Sequence, residues 1–160
     1  MTDATTRALL HALDRAFDHA SWHGPNLRGA IRGITPARAA WRPAKGRNSI
    51  WELAVHCAYW KYTVRRKLTG EKRGSFPLEG SNWFRRDGSE GARGWRADVA
   101  LLDETHRTLR AAVERFPPAR WGKRAGSSKH TYHDLVAGAA AHDLYHAGQI
   151  RLIKVLGKGA

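Results

Sequence analysis

Residues 131–157 read TYHDLVAGAAAHDLYHAGQIRLIKVLG, and this stretch decides the fold. Thr131 followed three residues later by Asp134 is a helix-start signature, and Gly157 closes the far end. Between them Leu135, Ala139, His142, His146, Gln149, Ile153 and Leu156 recur at steps of four and three, which puts all seven on one face of a helix. Burying that face carries two imidazoles and one amide into the protein.

Working outward, Ser49-Ile50-Trp51-Glu52 forms a second capping box, and Gly70 stops the helix that runs to about Thr69. Its inward stripe is Leu53, His56, Trp60, Val64 and Leu68, so a third histidine sits in an apolar seam. A further helix spans about Glu90 to Phe116, with Trp95, Val99, Leu102, His106, Leu109, Val113 and Phe116 inward and Pro117-Pro118 ending it. The first helix starts near Thr5 and turns Leu10, Leu13, Phe17 and Ala20 inward. It breaks at Trp22-His23-Gly24-Pro25, where Pro25 is placed to open a short helix toward Gly33. No strand pattern of useful length and no internal repeat is present. The expectation is therefore all-α: a four-helix bundle, one domain over residues 1–160. Gly70 to Ser89, rich in Gly, Ser and charge, is long enough to be a crossover or a lid.

Composition narrows the classes. A single cysteine, Cys57, excludes an internal disulfide and suits a reducing cytoplasm; no N-terminal segment resembles a signal peptide. No window of eighteen residues is apolar and uncharged, which argues against a membrane span. The formal net charge is +14, and arginine supplies 20 of the 28 basic residues. These charges scatter through every segment with no basic tail, and no zinc-finger or RNA-recognition spacing accompanies them. Specific nucleic-acid binding is not expected, although a nucleic-acid-associated module stays the third of three functional classes.

His142 and His146 are one helical turn apart and can share a metal ion; His56 sits at a comparable inward position on another helix. The alternative is that each is a core histidine hydrogen-bonded to a neighbour, but two on one turn of an apolar stripe, with a third available, favour a shared divalent ion. Three neutral imidazoles would leave a coordination position open, the layout of a catalytic site. His142-Asp143-Leu144-Tyr145-His146 echoes the zinc-protease pattern only superficially, since Asp143 replaces glutamate and lies toward the flank. Gln149 is a candidate to orient a ligand from behind, His106 lies at a depth that could approach the metal, and Glu52 stands one turn before His56 but is already explained as a cap. His23, freed by the helix break, is the candidate proton shuttle or extra ligand. Cys57 reads as core filler, and Trp51, Trp60 and Trp83 as packing.

Ser49-Ile50-Trp51-Glu52-Leu53 with His56, and Ala141-His142-Asp143-Leu144-Tyr145-His146-Ala147-Gly148-Gln149-Ile150, resemble the two motif regions of the DinB superfamily (DinB/YfiT-like metal-dependent enzymes). Ser21 to Leu27 and Leu68-Thr69-Gly70-Glu71 are similar to one branch of it. The resemblance implies a four-helix bundle with a long crossover loop, a homodimer, and a nickel, zinc or iron ion on His56, His142 and His146. Family members with assigned chemistry include thiol-dependent S-transferases and isomerases, so the resemblance further implies a low-molecular-weight thiol as the small-molecule substrate; hydrolase-like chemistry is the other enzymatic expectation, and the basic surface favours an anionic compound. The rival class is a non-catalytic, stress-related metal-binding bundle.

Overall fold

The computed structural model describes residues 3–157. Four long helices build the bundle: α1 (Ala4–Phe17), α4 (Ile50–Thr69), α5 (Gly91–Glu114) and α6 (Tyr132–Leu156), with two short ones, α2 (Leu27–Ile31) and α3 (Pro36–Ala40), between the first pair. No β-strand occurs among the described residues. Among the described residues no helix is long and apolar enough to cross a membrane.

Local chemistry sets the boundaries. Ser49 and Glu52 exchange both bonds of a capping box at the start of α4, and Gly70 ends it in the left-handed conformation at φ 77°. Thr131 and Asp134 do the same for α6. The Asn26 side chain caps α2, rather than Pro25 opening it; Thr35 with Pro36 starts α3, which is too short for a periodic pattern to announce. The first helix ends at Phe17, so Ala20 is exposed rather than inward.

Helix directions follow from which ends meet. Trp51, near the start of α4, packs on Trp95 and donates its indole N–H to Asp98, both near the start of α5. These consecutive helices are therefore parallel, and residues 70–90 must run back along α4 as a crossover. α6 runs antiparallel to α4: Lys61 meets Asp143, while His56, one turn earlier, meets His142 and His146. α1 is antiparallel to α5, with Asp14 bonded to Arg110 and Phe17 stacked on His106.

The expected face of α5 is observed nearly residue for residue, Val99 alone being half-buried. The face of α6 is not. One line of it, Val136, Ala140, Asp143, Ala147 and Ile150, is at most 5% exposed; of the expected stripe His146 is as deep at 4%, His142 and Leu135 are half-buried and Leu156 is 56% exposed. The buried face is thus centred between these two lines, turned by less than one residue from the expected stripe, with His146 inside it and His142 at its edge.

Candidate metal centre

His56 enters from the middle of α4, and His142 and His146 from the middle of α6. Their Nε2 atoms converge: that of His142 lies 3.1 Å from His56 Nε2 and 3.0 Å from His146 Nε2. The other ring nitrogens are committed. His56 Nδ1 is 2.7 Å from the main-chain oxygen of Asn82, which can only accept, so the ring proton sits there and Nε2 carries a lone pair. His146 Nδ1 donates likewise to the Gln149 carboxamide oxygen at 2.7 Å, while the Gln149 amide nitrogen donates to the Tyr145 hydroxyl at 3.1 Å. His142 can give a proton through Nε2 to only one of its two partners. At least one lone pair therefore faces another lone pair, an arrangement that a cation resolves. These three residues form a group that could hold a metal ion.

Electrostatics favour the neutral rings that a ligand set needs. Burial lowers His56 below its ordinary value, against the bond to Asn82. His142 is pushed down to about 3 by burial, then by His146, His56 and Lys61, and His146 to about 4 by burial, with Gln149 working against the shift. At neutral pH protons do not compete for this site.

The crossover contributes what the helical pattern could not show. Asn82 takes φ 65°, a conformation asparagine tolerates better than most residues; its carbonyl fixes His56 and its side-chain oxygen accepts from the Trp60 indole at 2.9 Å. Trp83 stacks flat on His56, with ring centres 3.8 Å apart and planes 6° from parallel. Trp83 therefore covers a site residue, and Trp60, expected inward, is 38% exposed at the rim. The only advance signal was an asparagine beside a tryptophan in a Gly- and Ser-rich loop.

A second group of buried polar residues was also missed. Lys61 and Asp143, each 1% exposed, form an ion pair joining α4 to α6 just below the histidines. Burial pushes the Asp143 carboxyl up to about 6, and Lys61, by its charge and its hydrogen bond, restrains the rise. Asp143 is not on a flank. It occupies the deepest line of α6.

The remaining candidates fall elsewhere. Glu52 holds its cap and takes two bonds from Arg42, at 2.6 and 2.5 Å, and one from the Arg86 main chain. Burial works against its charge, but these bonds outweigh it and hold the carboxyl low. It braces the start of α4 and makes no hydrogen bond to His56. His106 stacks on Phe17 at 3.8 Å, with Nδ1 unpartnered, and belongs to the α1–α5 contact rather than to the trio. His23 is exposed between α1 and α2, its ring 3.4 Å from Ser21 Oγ, and the structure does not bring it to the trio. Cys57 is fully buried and its thiol is pushed up by that burial and by Asp143, which suits a packed thiol and not a nucleophile.

In this helical bundle α4 and α6 present three facing imidazoles, a group that could hold a metal ion. The signature of the DinB superfamily matches residues 19–150, and the chain belongs to that superfamily. No curated protein and no solved structure matches it.

Proposed function

We propose that this chain is a metal-dependent enzyme that binds one divalent transition ion, of the nickel, zinc or iron type, through His56, His142 and His146, and acts on a small anionic molecule, with a low-molecular-weight thiol as the leading substrate class. The observation that carries the reading is the convergence of three Nε2 atoms whose tautomers Asn82 and Gln149 set from behind. A bound ion of this kind supplies Lewis acidity, which lowers the pKa of a thiol or water brought to it. The chain's own part is to orient and shield. Asn82 and Gln149 hold two rings, Trp83 excludes water from one face of His56, and His142, the most accessible of the three, leaves the open side.

A cleft of about 430 Å³ adjoins the trio through Gln149, walled by Leu53, Ile153 and Pro43, with Arg47 also in its lining. Such a space suits a compact organic anion, and a chain with net charge +14 attracts one. In the transfer itself the thiol gives up its proton, its sulfur forms a bond to an electrophilic carbon, and the leaving group departs with its electron pair. The exposed rim of Trp60, Trp83 and Tyr145 gives substrate access, which favours an enzyme over a bundle that only stores an ion. A buried lone cysteine agrees with a reducing compartment such as the cytoplasm.

The test offers metal-loaded protein small thiols with electrophilic acceptors. Turnover should vanish in His142→Ala and persist in Cys57→Ser; equal rates in wild type and both variants would refute the scheme.

A further inference from the structure

Basic residues that scatter along the sequence are gathered by the fold. α1 and α6 start where α4 and α5 end, so residues 3–7, 65–74 and 114–134 meet at one end of the bundle. Leu68, Phe116, Trp121 and Tyr132 pack together beneath that end, and the Trp121 indole donates to Thr6. The three segments carry eleven lysines and arginines against four acids, half of the net +14 on less than a quarter of the chain. None of the four acids is spare. Asp3 and Asp134 cap α1 and α6, Glu71 is paired with Arg65, and Glu114 faces Arg110 from 3.8 Å.

Cations at the C-terminal ends of α4 and α5 complement the helix dipole, which accounts for Arg66, Lys67 and Arg115. It does not account for Lys72, Arg73, Lys123, Arg124 and Lys129. These stand on loops, the last three in the segment that leads into the N-terminus of α6, where a cation is disfavoured. All five are exposed, and among the described residues none forms an ion pair. Such a concentration of like charge repels itself in the isolated chain, and a polyanion relieves the repulsion.

What surrounds the cations selects among polyanions. Every large apolar side chain that the chain exposes, from Trp22 to Leu156, lies outside these three segments. A membrane-binding surface needs apolar anchors beside its cations, and a single-strand binder needs aromatic rings on which bases stack. This end offers neither. Seven of its eleven cations are arginines, whose guanidinium bonds two phosphate oxygens at once. A cleft of about 460 Å³, with Arg65, Arg107 and Arg115 in its lining, opens between the ends of α4 and α5. We propose that this end of the bundle docks on the phosphate backbone of double-stranded nucleic acid without reading its sequence. Arg66 lies about 15 Å along α4 from His56, so docking here leaves the trio accessible.

The experiment is fluorescence anisotropy of a labelled duplex of about 20 base pairs, titrated with the protein as purified. Binding should be micromolar in about 50 mM salt and roughly 80-fold weaker in about 150 mM, a slope of about −4 that corresponds to four or five phosphates. Two unrelated sequences should agree within about twofold. Lys123→Glu with Arg124→Glu should weaken binding at least tenfold and flatten the slope by about two, and Lys72→Glu with Arg73→Glu, on the other loop, should do the same. Arg93→Glu with Arg96→Glu, exposed at the start of α5, changes the net charge equally and should cost no more than about threefold. All three variants should keep the helical circular dichroism of wild type. Equal losses in the three variants would mean that overall charge alone attracts the duplex, and would overturn the surface; so would a wild type that does not bind in about 50 mM salt. Tighter binding to phosphatidylcholine vesicles with about one-third phosphatidylserine, or to the single strand, would overturn the duplex as partner. A tenfold preference between the two sequences would overturn recognition through the backbone alone.

Discussion

Two polar groups are buried side by side along the α4–α6 contact, and they satisfy their chemistry in opposite ways. The Lys61–Asp143 pair is closed in charge: one cation and one anion, each 1% exposed, neutralise each other through one carboxylate oxygen, while Asp143 Oδ1 is buried without a hydrogen-bond partner. The histidine trio is open. Its outer nitrogens are satisfied by Asn82 and Gln149, but its inner ones face each other with more lone pairs than protons. Burial alone therefore does not mark a site. His106 is as buried as His56, and has a pKa pushed down to about 3, yet no other imidazole faces it. The distinguishing feature is convergence of like groups with nothing among them to reconcile them.

The largest way to break this contrast is to open the closed pair. Asp143→Ala leaves Lys61 buried without a counter-charge and should cost about 3–5 kcal/mol of stability, read from urea unfolding, whereas Lys61→Met with Asp143→Leu should be close to neutral. Equal losses in the single and double variants would mean that the pair is not self-contained.

Acid should act on the open group. The trio and His106 titrate below their ordinary value of 6.5 in the folded chain, so the unfolded chain binds more protons between pH 6.5 and about 3. Stability of the metal-free protein should fall below pH 6.5, by at most ~1.4 kcal/mol per pH unit for each histidine, offset in part by one such contribution of opposite sign between about pH 6 and 4, where the raised Asp143 carboxyl takes up its proton first in the folded chain. Urea midpoints at pH 7.5, 6.0 and 5.0 give the slope. A midpoint that stays constant would contradict the buried, neutral imidazoles.

Smaller effects separate the two supports of the trio. Gln149→Leu removes the acceptor behind His146 and should weaken zinc binding by about 10–100-fold. Trp83→Ala removes only a stacked cover from His56, worth ~1 kcal/mol, and should weaken it several-fold. Competition with a chromophoric chelator measures both; the reverse order would shift the weight from hydrogen bonding to shielding.

What could be read from sequence divides along physical lines. The inner face of α5 was legible because its opposite face is charged: Arg93, Arg96, Glu104 and Arg107 leave no choice about which side is buried. α6 is apolar on both sides, with Tyr145, Leu152 and Val155 outside and Val136, Ala147 and Ile150 inside, so periodicity gave the helix but set its rotation off by less than one residue. That same shift hid Asp143. The histidines of α6 survived it because His146 stays inside the buried face and His142, at its edge, still reaches the partner helix. Asn82 and Trp83 sit on a loop, where side-chain direction has no period to reveal it.

Metal content tests the central claim most directly. Protein prepared without chelator and then equilibrated with zinc should hold one ion per chain by elemental analysis. His142→Ala and His146→Ala should hold none, with the unfolding midpoint of their metal-free forms close to that of metal-free wild type. An ion retained by both variants, or no ion in wild type after exposure to zinc, nickel and iron at neutral pH, would contradict the account.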